Sequence, residues 1–225
     1  MSGKLIVFEG TDGSGKATQT RLLCEHLERD GISYREIHFP RYGQPSAAMV
    51  QEYLDGKLGK NPEDVNAYAA SLFYAMDRYA SYRQDWGSFY ENGGVIVADR
   101  YTTSNAVHQA SKLPPAERKA FLAWLFDLEY RLLGLPRPNL VLYLDMPVEV
   151  SEAMMRRREA DSGTHADIHE QDEAYLRRCR AGAAEISREC GWTVVPCARE
   201  GEPLPVEEIH ARVYQLTRSL LEARP

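Results

Sequence analysis

The sequence predicts an α/β fold, in which helices cover both faces of a parallel β-sheet. Apolar runs of strand length alternate with longer stretches whose apolar residues have helical spacing, and this alternation is typical of parallel sheets. The chain has 225 residues. That length accommodates one such domain with a sizeable core, whereas two independent domains would be crowded. We therefore expect a single domain over residues 1–225.

Five apolar segments have the length and the residue types of strands. They predict a five-stranded sheet from Leu5–Glu9, Tyr34–Phe39, Val95–Ala98, Leu140–Asp145 and Thr193–Pro196. Helical patterns lie between and after them, at Ala17–Arg29, Ser46–Leu54, Pro62–Tyr90, Pro115–Leu133, Val148–Arg158, His169–Glu189 and Val206–Glu222. Ser46 is expected to cap the N-terminus of the second helix.

The composition limits which partners the protein is expected to bind and in which cellular compartment it is expected to work. The formal net charge of −6 gives no general attraction to nucleic acid or anionic membranes, so phosphate binding would need a local cluster of positive charge. The cysteines (Cys24, Cys179, Cys190 and Cys197) lack the spacing of a metal site. Without a signal peptide at the N-terminus, they are expected to be reduced thiols. No apolar run approaches membrane-spanning length. We expect a cytoplasmic protein that binds neither a nucleic acid polymer nor a membrane.

The most informative segment is the glycine-rich turn after the first predicted strand. It matches the G-x-x-x-x-G-K phosphate-binding motif, the P-loop, in its strand–turn–helix context. Glycines let backbone N–H groups point at phosphate oxygens, while the helix N-terminus and Lys16 add positive charge. The predicted phosphate-binding residues are Gly10, Thr11, Asp12, Gly13, Ser14, Gly15, Lys16, Ala17 and Thr18.

Two residues make this P-loop atypical. Ala17 replaces the hydroxyl residue that usually binds Mg²⁺. Water can take that place on an ion that keeps several waters, and a lost neutral contact typically costs only ~0.5–1.5 kcal/mol. Asp12 is unusual because a carboxylate beside a bound triphosphate is electrostatically unfavourable. It is either a turn residue or a contact to a substrate hydroxyl.

Two further turns should lie beside the P-loop, because ligands of parallel sheets bind beyond the carboxyl ends of the strands. One is the Phe39-Pro40-Arg41 turn, and the other is Asp99-Arg100-Tyr101. A carboxylate at the position of Asp99 could hold Mg²⁺ or its water, although a surface salt bridge is the alternative. Arg100 can bind a phosphate bidentately.

Several motifs, in order along the chain, resemble the thymidylate kinase family. They are Phe-Glu-Gly-Thr-Asp-Gly-Ser-Gly-Lys at 8–16, Phe39-Pro40-Arg41, Leu-Phe-Tyr-Ala-Met-Asp-Arg at 72–78, Asp99-Arg100-Tyr101, Ser104 with Gln109, and Pro-Asn-Leu-Val-Leu-Tyr-Leu at 138–144. The resemblance runs from Lys4 to about Tyr175. It implies a P-loop nucleoside monophosphate kinase fold with a small mobile lid, phosphoryl transfer from ATP to deoxythymidine monophosphate (dTMP), Mg²⁺ as cofactor, and a homodimer.

Two alternatives stay open. One is another nucleoside monophosphate kinase, or a deoxynucleoside kinase, on the same fold. A nucleoside acceptor would leave Arg41 and Arg100 without a phosphate, which argues against the latter. The other is a catalytically silent nucleotide-binding protein, in which Gly13 and Ala17 record lost activity.

The resemblance also implies roles for individual residues. Asp12 would contact the deoxyribose 3′-hydroxyl, and Arg41 and Arg100 would bind the monophosphate. Arg78 would donate to the carbonyl edge of thymine. Asp99 would hold Mg²⁺ or a water molecule bound to it. The residues implied to bind dTMP are Asp12, Arg41, Tyr74, Arg78, Arg100, Ser104, Asn105, His108 and Gln109.

Two aromatic positions affect the choice of acceptor. Tyr74 lies one helical turn before Arg78, so the two share a face and Tyr74 could stack on the base, unless it is a core residue. Phe73 is the alternative residue for stacking on the base, but it lies about 100° away from Tyr74 around the helix. His108 stands where relatives often have a tyrosine that crowds the sugar 2′ position, and it could instead pack in the core.

Gly13 stands where some family members have a catalytic arginine. The positive charge must then come from elsewhere, and the Arg156-Arg157-Arg158 run before the polar segment 159–168 is the obvious source. Three consecutive helical residues cannot all face one site, so we expect one or two to act. The predicted lid covers about residues 156–168. The predicted catalytic residues are Lys16, Arg100, Asp12, Arg157 and Arg158.

Overall fold

The computed structural model describes residues 3–151 and 173–223. Its main sheet has five parallel strands in the order β2-β3-β1-β4-β5. The strands are β1 (Lys4–Glu9), β2 (Tyr34–His38), β3 (Val95–Asp99), β4 (Leu140–Asp145) and β5 (Thr193–Pro196). The predicted five-stranded parallel sheet is confirmed.

Helices flank the sheet on both faces. They are α1 (Lys16–Arg29), α2 (Ala48–Leu54), α3 (Ala67–Ser81), α4 (Gly87–Glu91), α5 (Thr102–His108), α6 (Pro115–Phe126), α7 (Glu173–Glu189) and α8 (Val206–Glu222). Two π-helical turns, Tyr82–Trp86 and Asp127–Leu132, continue α3 and α6. A short antiparallel pair, β6 (Ala198–Arg199) with β7 (Glu202–Pro203), follows the main sheet. None of the helices in the described ranges is long and apolar enough to cross a membrane.

Two helix predictions need correction. The pattern Pro62–Tyr90 is interrupted, because Val65 is extended and Asn66 starts a new helix by accepting a hydrogen bond from the Ala69 N–H at 2.9 Å. Ser46 does not cap α2. It lies within a 3-10 turn, and its hydroxyl donates to Asp77 at 2.7 Å instead of accepting from the helix.

Some predicted features lie outside the described residues. The helix predicted over 148–158 is described only to residue 151, where the chain is helical. The predicted lid, about residues 156–168, and its three arginines lie outside the described residues.

Side chains of the hydrophobic core pack against both faces of β1, the strand that leads into the P-loop. Leu5, Ile6, Val7 and Phe8 have no exposed surface. Alternate residues point to opposite faces, so Ile6 and Phe8 pack with α1 and α8, while Leu5 and Val7 pack with the layer around Trp86. A strand buried on both faces gives the turn that follows it a rigid base.

The carboxyl ends of β1 and β3 lie side by side. Phe8 is in register with Asp99, and the Arg100 N–H donates to the Phe8 carbonyl at 3.1 Å. Arg100 has a φ of 68°, a conformation that non-glycine residues rarely adopt. This pairing places the P-loop beside Asp99 and Arg100, as the sequence predicts.

Candidate active site

A cavity of about 610 Å³ opens at the carboxyl ends of the strands. It brings together residues from the P-loop, the turn after β2, α3, the end of β3 and α5. Of the predicted site residues it is lined by Asp12, Gly13, Gly15, Lys16, Ala17, Thr18, Tyr74, Arg78, Asp99, Arg100, Ser104, Asn105, His108 and Gln109. Further lining residues are His38, Phe39, Pro40, Tyr42, Leu54 and Tyr101.

The P-loop backbone depends on its glycines. Gly10 has a φ of 155°, and a Cβ atom there would come within 2.6 Å of the Ser14 hydroxyl and 2.9 Å of the Leu144 carbonyl. Gly15, with a φ of 89°, leads directly into α1. The loop closes through a 3.1 Å hydrogen bond from the Ser14 N–H to the Thr11 carbonyl. A larger residue at position 10 would therefore displace the loop.

Lys16 holds a concentrated positive charge over this loop. Its ammonium donates to the carbonyls of Gly10 and Thr11 at 2.9 and 3.0 Å, and lies 3.6 Å from the Asp12 carboxylate. Burial lowers the pKa of Lys16, and the nearby Arg100 lowers it further, against the raising effect of Asp12. The side chain is thus a buried cation whose present partners are carbonyls and one carboxylate.

Arg100 is the electrostatic centre of the cavity. Its Nη2 bonds to Asp12, while its Nη1 lies 3.2 Å from the Ser104 hydroxyl and 3.4 Å from the His108 imidazole. Burial acts to lower the pKa of Arg100, but Asp12 and Glu9 more than offset it, so that this pKa is raised. Burial likewise acts to raise the pKa of Asp12, and Arg100 and Lys16 hold it well below its usual range.

Of the residues predicted to bind dTMP, all of which lie in the described ranges, Arg41 is the one that does not line the cavity, although its neighbours Pro40 and Tyr42 do. Its guanidinium bonds to Asp77 at 3.1 Å, to Asp85, and to the Ser46 hydroxyl at 2.9 Å. Asp77 also accepts from the Arg41 N–H at 2.8 Å. The predicted phosphate contact would require this side chain to turn.

Arg78, on α3, lines the cavity and is anchored by an ion pair. Only 1% of it is exposed, and its Nε and Nη2 donate to the two carboxylate oxygens of Glu129 at 2.7 and 2.6 Å. Glu129 also accepts from the Thr102 hydroxyl at 2.7 Å. Burial acts to lower the pKa of Arg78, and Glu129 more than offsets it, so that this pKa is raised.

Sequence reasoning missed Glu129. No local signal marked it, because charged and apolar residues alternate from Phe126 to Leu132 and nothing distinguishes Glu129 from Asp127. Tyr74 lies one turn before Arg78 and lines the cavity with it. Phe73 instead lies 6.5 Å from the Tyr53 ring. This placement favours Tyr74 as the residue that could stack on a base.

The base of the cavity carries polar groups from α5 and the residue after it. Asn105 donates to the Ser71 carbonyl at 3.1 Å. Both amide atoms of Gln109 are buried without a hydrogen-bond partner in the described part of the chain. His108 also lies 3.7 Å from the Cys179 sulfur, and its carbonyl accepts from the Tyr175 hydroxyl at 2.9 Å. His108 is only 6% exposed, as expected of a core residue, and it also lines the cavity, as expected of a residue near the sugar. Its position therefore has features of both predicted roles.

One carboxylate oxygen is available for a metal ion. Asp99 Oδ1 is buried without a hydrogen-bond partner in residues 3–151 and 173–223, and Asp99 lines the cavity beside Lys16. The described residues contain no cluster of three or more His, Cys, Asp or Glu side chains that could hold a metal. A single carboxylate fits Mg²⁺, which keeps waters and shares nucleotide phosphates, better than it fits Zn²⁺ or Ca²⁺.

The parallel sheet, the P-loop and a cavity beyond the strand ends that is lined by Lys16, Arg78 and Arg100 define the class of P-loop nucleoside monophosphate kinases. A solved structure of thymidylate kinase from Candida albicans has the same fold, with a TM-score of 0.70 and 20% identity, over 97% of this chain and 92% of that one. The thymidylate kinase family model matches residues 8–212. The chain belongs to the thymidylate kinase family.

Curated bacterial relatives agree with this assignment. The chain is 33% identical to a thymidylate kinase of Mycobacterium tuberculosis over 190 residues, which cover 84% of this chain and 87% of that protein. It is 29% identical to a thymidylate kinase of Synechococcus over 225 residues, which cover 99% of both chains. The similarity thus extends over most of the length of these relatives.

Proposed function

We propose that this protein transfers a phosphoryl group from ATP to dTMP, giving ADP and dTDP. The observation that carries the proposal is that two groups suited to binding phosphate, the P-loop with Lys16 and the Arg100 guanidinium, line one cavity. The P-loop with Lys16 supplies the donor side, and Arg100 supplies the acceptor side. Arg78, held by Glu129, adds a hydrogen-bond donor to the lining of the same cavity.

The proposed reaction needs no protein nucleophile, since the acceptor phosphate itself attacks the terminal phosphoryl group of ATP. Lys16 leaves its carbonyl partners for the donor phosphates, and Arg100 turns from Asp12 to the acceptor phosphate. Positioning of the two anions and neutralisation of their charge account for most of the rate in such transfers. When bound, Mg²⁺ would be held by Asp99 and would neutralise charge on the phosphates of ATP.

Comparing acceptors tests the proposed function. ADP release should be measured with dTMP, dUMP, UMP, CMP and thymidine, at equal concentrations and with saturating ATP. We expect dTMP to give the highest kcat/KM and thymidine to give no turnover, since thymidine leaves Arg100 without a phosphate. A better acceptor than dTMP would refute the assigned specificity. ATP binding without turnover of any acceptor would support the silent nucleotide-binding alternative.

The lid arginines are proposed from the sequence alone. Alanine at Arg156, Arg157 or Arg158 is expected to lower kcat unequally, with the largest loss at Arg157 or Arg158 and at most a small loss at Arg156. An arginine on the transferring group is worth about 10³–10⁵ in rate. Steady-state kcat for each variant is the measurement. Three small and equal losses would contradict the role of this run in compensating for Gly13.

We also propose that the protein is a cytoplasmic homodimer. Tyr68, Leu72 and Met76 lie on one face of α3 and are 40%, 43% and 50% exposed. Such an apolar stripe is suited to association with a second copy. The four cysteines are all free, as is usual in a reducing compartment.

Replacing Leu72 by glutamate is expected to convert the homodimer into a monomer, because the charge would be buried without a partner at the interface. Sedimentation velocity across a dilution series measures the change. Val206 is 41% exposed on α8. Val206→Glu therefore controls for the added surface charge and should leave a dimer. A Leu72→Glu protein that sediments as the wild type would contradict the proposed interface.

A further inference from the structure

We infer that Glu9 is a positioning residue that holds Arg100 ready for the acceptor phosphate. Glu9 is the last residue of β1 and is buried. It lies directly before the P-loop, in a strand that is buried on both faces. The inference rests on the proposed function, because it assigns Arg100 to a phosphate of the acceptor.

Both oxygens of the Glu9 carboxylate are occupied. Oε2 accepts from the hydroxyls of Thr103 and Ser104, each at 2.7 Å. Oε1 accepts from the Gly10 N–H at 3.0 Å and lies 3.7 Å from Arg100 Nη1. One buried charge thus connects the P-loop, the start of α5 and the arginine.

Ser104 relays the effect of Glu9 to Arg100. A hydroxyl has one proton, and that of Ser104 is directed to Glu9. Its lone pairs are therefore available to Arg100 Nη1, which lies 3.2 Å away. Glu9 acts on the guanidinium directly by charge and indirectly by fixing the orientation of this hydroxyl.

The two ends of the guanidinium have different partners. Nη1 is held by Ser104 and faces Glu9, whose side chain is 1% exposed, whereas Nη2 bonds to Asp12, whose side chain is 26% exposed. An incoming phosphate can compete with the accessible Asp12, while Glu9 stays in place behind the arginine. The Arg100 backbone, at a φ of 68°, is also tied to β1 through the Phe8 carbonyl. Consecutive β1 residues thus fix the main chain and the side chain of Arg100, which leaves Nη2 as the end that exchanges partners.

The affinity ratio of dTMP to thymidine measures the contribution of the acceptor phosphate. Titration calorimetry should give both dissociation constants for the wild type, Glu9→Gln, Ser104→Ala and Thr103→Val. We expect Glu9→Gln to weaken dTMP binding at least ten-fold while thymidine binding changes less than two-fold. Ser104→Ala should show the same selective loss, to a smaller extent. The KM for ATP should stay near that of the wild type.

Thr103→Val is the matched control. It removes a hydrogen bond of the same length to the same Glu9 oxygen, but from a residue that does not lie between Glu9 and Arg100. We expect it to keep the wild-type affinity ratio. If Glu9 served only to stabilise the fold, Glu9→Gln and Thr103→Val would lower the melting temperature and leave the ratio unchanged.

The outcomes separate this inference from the proposed function. A wild type that binds thymidine as tightly as dTMP would refute the acceptor-phosphate role of the site, and with it the proposed function. A wild type that prefers dTMP, together with a Glu9→Gln variant that keeps this preference or loses both ligands equally, would refute the positioning role alone. If Glu9→Gln fails to fold, an unchanged ratio in Ser104→Ala refutes the relay, and a selective loss supports it.

Discussion

Arg100→Ala is expected to lower kcat/KM for dTMP by about 10³-fold, while ATP is bound almost as tightly as by the wild type. Removing one group that stabilises developing charge typically costs about 10²–10³ in rate, and arginines on transferring phosphoryl groups contribute more. Arg100 follows β3 and bonds to Asp12 and Ser104, on the side of the cavity that we propose for the acceptor. In this variant, the phosphates of ATP would still contact Lys16 and the backbone N–H groups of the P-loop.

The measurement combines steady-state kinetics with calorimetric titration of a non-hydrolysable ATP analogue. Arg100→Lys is the informative companion, because it keeps the charge but loses the planar, bidentate donor geometry. We expect it to recover only a small part of the lost activity. A large fall in ATP affinity in Arg100→Ala would overturn the assignment of Arg100 to the acceptor.

The sequence predicted the elements of the site that depend on local pattern. The P-loop is a continuous motif, and apolar runs mark the five strands, so the carboxyl ends of β1 and β3 could be inferred to meet. Asp99, Arg100 and the loop therefore lie in one cavity as expected. The break at Asn66 was missed because the residues on both sides have helical spacing, and the cap acts through a single side chain.

The partners of the buried charges could not be predicted in the same way. Glu129 is separated from Arg78 by 51 residues, and Glu9 from Thr103 by 94. A sequence shows that each charge exists, but the pairing depends on how distant segments pack. Asp77 shows the same limit, since its contacts with Arg41 and Ser46 join segments that are 36 and 31 residues apart.

Glu129→Ala is expected to destabilise the fold as well as the site. It would leave the Arg78 guanidinium, which is 1% exposed, without its carboxylate partner. Breaking a buried ion pair by removing one partner costs about 3–5 kcal/mol of unfolding free energy. In a protein of this size each kcal/mol shifts the melting temperature by about 2–4 °C, so a fall of roughly 6–20 °C is expected by calorimetry. An unchanged melting temperature would show that the pair contributes no stability.

A second variant separates stability from ligand binding. Arg78→Met, Glu129→Leu and Thr102→Val together replace both charges and the hydroxyl that donates to Glu129. Replacing a buried ion pair by well-packed apolar residues is often neutral or stabilising, so the melting temperature should return close to that of the wild type. The triple variant should bind dTMP more weakly than the wild type does, because it has no Arg78 donor for the carbonyl edge of the base. A stable triple variant with wild-type dTMP affinity would show that Arg78 supports the wall of the cavity and does not bind the base.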